Sequence, residues 1–121
     1  MKRGEVYWAE LSPRSGSEQA GRRPVVILSH DAFNLAARWR SIIVIPTSTS
    51  PSQAGRGPTV VPVQAGIAGL SKDCVILCHQ ITTLDRTKLV EKIGVLPAEF
   101  LSQVELAVAA ALDMPRRAGL D

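Results

Sequence analysis

Residues 5–11 (Glu-Val-Tyr-Trp-Ala-Glu-Leu) alternate polar and apolar side chains, the two-residue period of a half-buried strand. Residues 24–29 are a β-branched run with its proline at the entry, which predicts a central strand. Residues 41–46 are apolar after the first serine and predict a strand buried on both faces. Between these two runs, Asp31 is placed to cap a short helical stretch over 32–38. Residues 59–63 predict another strand, at an edge because Pro62 cannot donate to a ladder. Residues 74–81 and 89–95 supply two more, with 82–87 as their connection. Only the end of the chain has a helical rhythm. From Pro97 in the first turn, apolar residues recur at Phe100/Leu101, Val104, Ala107/Val108 and Ala111/Leu112.

The stretches between are of a different kind. Residues 12–22 form a polar, glycine-punctuated loop, and residues 66–71 turn the chain. Residues 47–58 hold no core-forming side chain larger than alanine and predict a long, hydroxyl-rich loop. Residues 115–121 have nothing to pack and predict a frayed tail. There is no internal repeat and no second periodic block, so residues 1–114 are expected to form a single domain. About six short strands with a terminal helix give an α+β class, mostly β, arranged as a compact antiparallel barrel.

Composition narrows the class. A chain of 121 residues, 45% hydrophobic, is about one folded domain. No apolar run approaches the ~18 residues of a membrane span, and polar residues follow Met1 too closely for a signal peptide. The expectation is a cytoplasmic protein with no membrane contact. Cys74 and Cys78, placed on one strand, would stand ~13 Å apart, beyond disulfide reach, as reduced core residues. With two histidines no ligand cluster of credible spacing exists, so no metal and no cofactor are expected.

The distribution of charge is more informative than its sum of +3. Residues 11–58 carry six arginines (14, 22, 23, 38, 40 and 56) against Glu18 and Asp31, while the remainder is nearly balanced. Guanidinium forks suit phosphate, so a polyanion such as nucleic acid is a fitting partner. The loop Gly16-Ser-Glu-Gln-Ala-Gly-Arg-Arg-Pro24 suits a phosphodiester: Arg23, held at a strand entry, beside the phosphate, and Glu18 on a mobile arm. An inert hairpin loop is the plainer alternative. The hydroxyls of Thr47, Ser48, Thr49 and Ser50 follow a buried strand and can meet phosphate oxygens. His79, near a strand's end, is either a hydrogen-bonded core residue or an exposed imidazole that titrates near neutral pH. Trp8, Phe33, Trp39 and Phe100 are expected in the core rather than as base-stacking platforms.

Taken together, the segments resemble the MazF/PemK (Kid) family of toxins, the ribonuclease halves of toxin–antitoxin pairs. The resemblance runs from Arg3 to about Leu112. It is carried by Arg3-Gly-Glu-Val-Tyr-Trp8, the Gly16-to-Leu28 string with its Gly-x-Glu-Gln-x-Gly-x-Arg-Pro pattern, Phe33-Asn34, Val44-Ile-Pro-Thr-Ser-Thr49, Gln80-Ile-Thr-Thr-Leu-Asp85 and Lys92-Ile-Gly94. It implies an SH3-like barrel with a C-terminal helix, a homodimer with single-stranded RNA across the groove between subunits, and metal-independent cleavage that arrests translation. It also implies an antitoxin whose disordered, acidic segment fills that groove.

By the same resemblance Arg23 matches the arginine at the scissile phosphate, and Ser48 falls at the catalytic threonine with Thr49 beside it. Ser17, Glu18 and Gln19 match the mobile RNA-touching loop, with Gln80 and its neighbours in a further family segment. His79 falls where one branch has an aspartate. Leu77 stands where that branch has an arginine and Thr82 where many relatives have one, so one clamp on the phosphate is weaker or is supplied elsewhere, by Arg22, Arg56 or Arg86.

A metal-free ribonuclease needs a base for the 2′-hydroxyl, a stabiliser for the phosphorane and an acid for the departing 5′-oxygen. The expected roles are stabilisation by Arg23 with Ser48, and proton transfer by His79 or Glu18, giving 2′,3′-cyclic phosphate and 5′-hydroxyl ends. Two readings from other classes stand beside this one: a catalytically dead RNA-binding or antitoxin-titrating module, and a CcdB-like gyrase-binding toxin. The second needs a Trp-Gly-Ile-like ending, and both tryptophans lie before residue 40.

Overall fold

β1 (Glu5–Glu10) and β2 (Arg22–Ile27) form the antiparallel pair on which the rest is built, with Tyr7 opposite Val25 and Ala9 opposite Arg23. In this computed structural model the described residues are 1–115 except 13, 14, 17 and 56. β3 (Ser41–Ser48) adds to β2 with Val26 opposite Ile45. β3 is long enough to change partners along its other edge. Its first half pairs with β6 (Thr82–Asp85) and its last two residues with β5 (Cys74–Leu77). β4 (Val60–Val63) continues outward from β5, and β7 (Leu89–Val95) lies on the far side of β1.

The order is therefore β4-β5-β3-β2-β1-β7, with β6 against β3. β4 is at an end of the sheet, where Pro62 costs no ladder bond, as the sequence predicts. The mostly-β class with a terminal helix holds, but the sheet is not closed by hydrogen bonds between its end strands. Contact between backbones narrows the gap. A Cβ on Gly69 would stand 2.5 Å from the Ile93 carbonyl oxygen, and one on Gly94 would collide with the carbonyl of Ala68. The turn Ile67–Gly69 can lie against β7 only because both positions lack a side chain.

Alternation along the strands makes two layers of core. Val6, Val26, Ile45 and Ile76 face α2 (Ala98–Ala111), where Val104 and Ala107 are buried against them. Ala9, Leu11, Val25, Ile27, Ile42, Val44 and Leu84 pack on the opposite face. β2 reads as apolar throughout because Val25 and Val26 serve different layers. Each fully buried Ile or Val contributes about 1.5–3 kcal/mol.

Several local expectations change. α1 spans only Asp31–Asn34, and its cap is His30, whose Nδ1 accepts from the Ala32 amide at 2.9 Å. Asp31 instead accepts from the Arg3 amide at 2.7 Å and from Asn34 Nδ2 at 3.0 Å, tying the helix to the chain start. Ile43 of β3 is exposed, so that strand is not buried on both faces at its start. Thr47 and Ser48 are buried members of β3, not loop, and the following residues make 3-10 turns over Pro51–Gly55 and Gly57–Thr59.

β5 ends at Leu77, and Cys78–Gln80 is a 3-10 turn, which takes His79 out of the strand. Cys74 and Cys78 are buried with free thiols, but they do not share a strand. Residues 82–87 are not a bare connection: they contain β6. Phe33 and Trp39 are not core residues: they are 42% and 46% exposed. Among the described residues no helix is long and apolar enough to cross a membrane.

Candidate functional site

Arg23 stands in the second position of β2, opposite Ala9. Its Nε donates to the carbonyl of Ala20 at 2.9 Å and its Nη1 to the carbonyl of Thr47 at 3.1 Å. One fork thus ties the incoming loop to the end of β3. Its other N–H groups have no partner among the described residues, and they carry the charge that a phosphate would meet. The Thr47 hydroxyl donates to the carbonyl of Pro24 at 2.8 Å, locking the same two strands from the other side.

The loop ahead of β2 is pinned at a second point. The amide of Gln19 donates to Gln80 Oε1 at 2.8 Å, and Gln80 belongs to the turn after β5. Glu18 and His79 are the chain neighbours of these two residues, so this bond joins the two stretches that carry the expected proton-transfer groups. Glu18 is exposed. His79 is half-buried, with its Nδ1 3.5 Å from the Thr59 hydroxyl, and it is not among the residues lining the Arg23 cleft.

The hydroxyls divide. Continuing the register of Val25 opposite Pro46 by two residues sets Arg23 across from Ser48. Yet Ser48 is 5% exposed, and its hydroxyl accepts from the Ser50 amide at 3.1 Å. It lines a depression of about 340 Å³ with Thr49, Pro62 and Asp73. The cleft that holds Arg23 measures about 520 Å³ and is lined by Trp8, Arg22, Thr47, Thr49, Ser71 and Lys72. Thr49 and Cys74 border both depressions. Of the Thr47–Ser50 hydroxyls, the exposed one at Arg23's cleft is thus Thr49, with buried Ser48 next to it in the chain.

Three cations and no carboxylate line that cleft among the described residues. The Arg22 guanidinium lies 5.6 Å from the centre of the Trp8 ring, a cation–π contact that holds its charge over the rim. Trp8 was expected in the core and is instead half-buried at the cleft wall. Lys72 and Ser71 carry no local signal in the sequence. They lie in a short polar turn just before β5, and only the packing of the Ile67–Gly69 turn on β7 brings them beside β2. Burial raises the Cys74 thiol to about 11, with help from Asp73, and burial alone raises Cys78 to about 12. Both are thiols at neutral pH and offer no nucleophile. No three His, Cys, Asp or Glu side chains among the described residues converge as metal ligands would.

Arg86 is not at this site. Its guanidinium donates to four carbonyls, those of Phe33, Asn34, Ala36 and Trp39, at 2.9–3.1 Å. Those acceptors include the open carbonyls at the end of α1, so the side chain that the sequence offered to RNA is consumed in holding a loop. Ser17 and Arg56 lie outside the described residues.

A family model described as "PemK-like, MazF-like toxin of type II toxin-antitoxin system" matches residues 2–112. Endoribonuclease EndoA of Bacillus subtilis is 38% identical over 112 residues, covering 93% of this chain and 94% of that protein. The crystal structure of MazF from Deinococcus radiodurans superposes with a TM-score of 0.78 at 27% identity, covering 94% of this chain and 97% of that one. A MazE–MazF crystal structure from the same organism gives a TM-score of 0.71 at 28% identity, covering 95% and 97%.

Proposed function

The chain belongs to the PemK-like, MazF-like toxins of type II toxin–antitoxin systems and is an endoribonuclease; from that premise we propose that it cuts single-stranded RNA without a metal, at the cleft of Arg23. The observation that carries this assignment is the double anchorage of Arg23 to Ala20 and Thr47, which presents a fixed guanidinium to a cleft of cations and hydroxyls.

In the proposed reaction the ribose 2′-oxygen attacks its own 3′-phosphorus. The P–O bond to the next nucleoside breaks, leaving a 2′,3′-cyclic phosphate and a 5′-hydroxyl. Arg23 holds the negative charge of the phosphorane, in a site where such a preorganised donor is worth about 2.7–4 kcal/mol. Arg22 and Lys72 stand in for the clamp that Leu77 and Thr82 do not provide. Thr49 supplies a hydroxyl to the non-bridging oxygens, and Ser48, buried beside it, holds the turn that presents it. Glu18 and His79, one residue from either end of the Gln19–Gln80 bond, exchange the protons. Arginine keeps its proton at working pH and is not the acid.

The partner in such a system is an antitoxin. We assign it the same cationic cleft, entered by an acidic, disordered segment, because carboxylates and phosphates compete for one guanidinium geometry. A homodimer completes the proposal. An apolar groove of about 410 Å³ beside α2, lined by Pro58, Val60, Leu106, Ala110 and Met114, supports it. Incubating the purified protein with long single-stranded RNA in EDTA tests the activity: fragments with 5′-hydroxyl ends support it, and intact RNA refutes it.

A further inference from the structure

Phe33 and Trp39 pack on each other with ring centroids 4.7 Å apart and planes tilted by 33°. Both remain open to solvent, at 42% and 46% exposure. Two exposed aromatic rings are costly to leave in water, and here the loop is built to keep them there. Four N–H groups of Arg86 fasten the carbonyls of residues 33, 34, 36 and 39. The Arg86 amide holds the Arg40 carbonyl at 2.7 Å, and Arg40 pairs with Asp85 at 3.0 Å. His30 meets Phe33 edge-on, 6.4 Å between centroids.

The rim of this platform is cationic. Arg38 is exposed and has no ion-pair partner among the described residues, and Arg40 stands two residues away. Asp85 is paired with Arg40 and bonded to Thr87, and Asp31 is turned toward the Arg3 amide and Asn34, which leaves Arg38 as the guanidinium without a counter-charge among the described residues. An aromatic face edged with unneutralised guanidinium is the pattern that single-stranded nucleic acid uses, bases on rings and phosphates on arginine.

We propose that Phe33 and Trp39 form an accessory stacking platform for an unpaired base of the RNA, with Arg38 on the adjoining phosphate. The proposal rests on the chain being a single-strand endoribonuclease. β3 links the two places, since Arg40 adjoins its start and Thr47 of the Arg23 cleft lies at its end. Seven strand residues at ~3.3 Å make a separation of ~23 Å. A strand toward the upper end of the 4–16 nucleotides that small barrel domains hold reaches both places, and one at the lower end occupies the Arg23 cleft alone. The platform thereby favours long, unpaired RNA over short fragments.

The test uses the full chain and two non-cleavable 2′-O-methyl single strands, one of about four nucleotides and one of about twelve. Trp39→Ala is expected to weaken binding of the longer strand by on the order of tenfold, and by clearly more than it weakens the shorter one. Trp39→Phe, which keeps a ring, restores most of the affinity and guards against a folding defect. Arg38→Ala lowers the slope of log affinity against log salt by about 1 for the longer strand. Equal loss for both lengths, or no loss, overturns the platform while leaving the enzyme intact. If Trp39→Ala releases a Glu/Asp-rich peptide but not RNA, the face belongs to a protein partner and the proposal fails. Absence of all RNA binding in the unaltered protein overturns the enzyme reading and the platform with it.

Discussion

Arg23 in β2 donates to the backbone carbonyl of Thr47 in β3 at 3.1 Å, and the same guanidinium reaches back to Ala20 at 2.9 Å. A loop, a strand entry and a strand end therefore share one side chain. Its charge is fixed in place before any substrate arrives, which is the condition for electrostatic catalysis without reorganisation.

Arg23→Ala is expected to lower kcat by on the order of 10²-fold or more. Arg23→Lys is expected to fare little better, because a single ammonium cannot bridge the Ala20 and Thr47 carbonyls and still face the cleft. Single-turnover cleavage rates, beside circular dichroism to show an intact fold, check both.

Gln80 is expected to act by positioning. Gln80→Ala frees the Gln19 amide and is predicted to slow cleavage by about tenfold, the scale of one lost hydrogen bond. Gln80→Glu keeps the accepting oxygen and is expected to recover most of the rate. Failure of that rescue, with both variants folded, contradicts the role.

Arg86→Ala takes the guanidinium from four carbonyls, of which those of Phe33 and Ala36 keep a backbone donor, and is expected to cost about 2 kcal/mol of stability, read as a fall in Tm. Were Arg86 a phosphate ligand, its loss would instead reduce the salt slope of RNA affinity by about 1. The structure predicts the first signature in thermal unfolding and no change in slope for RNA too short to reach Trp39.

Glu5 accepts from Lys92 Nζ at 2.7 Å and from the Lys2 amide at 2.7 Å, joining β1 to β7. Burial pushes its carboxyl up, but the bonds from Lys92 and Lys2 prevail and hold it below its ordinary 4.5. A lowered acid contributes stability above its unfolded value and loses it as pH falls through the folded one. Tm is therefore expected to drop below pH 4.5, and Glu5→Gln to flatten that acid limb while lowering Tm at neutral pH. Lys92 is raised, chiefly by its bond to Glu5, so its share is lost only on the alkaline side, above 10.5. Unfolding curves of both proteins across acid pH give the comparison.

Patterning made β1 and α2 legible through their periods of two and 3.6 residues, and β2, β3, β4, β5 and β7 through β-branched or apolar runs bounded by turn residues. β6 was hidden because Thr82-Thr-Leu-Asp85 buries only Leu84, leaving no alternation to see. The apolar run from Cys74 continues past the point where hydrogen bonding stops, so the turn that removes His79 from the strand leaves no mark in hydropathy. Asp31 has the chemistry of a cap, but the distant Arg3 amide takes it and His30 serves instead. Phe33 and Trp39 look like core by composition. Their exposure follows from Arg86, some fifty residues away, which no local pattern connects to them. At the site, Arg23 and its loop were readable as chemistry. Lys72 and Trp8 were not, since each joins the cleft through tertiary packing alone.

In the proposed reaction Arg23 steadies charge while a ribose oxygen displaces its neighbour. Once the 5′ ends of fragments from a mixed RNA have located a cut, the decisive measurement is the cleavage rate of that RNA with a single 2′-deoxy residue at the cut position. The substituted strand is expected to survive intact while the all-ribose strand yields a 2′,3′-cyclic phosphate; cutting of the deoxy strand at an undiminished rate would show that no ribose oxygen attacks.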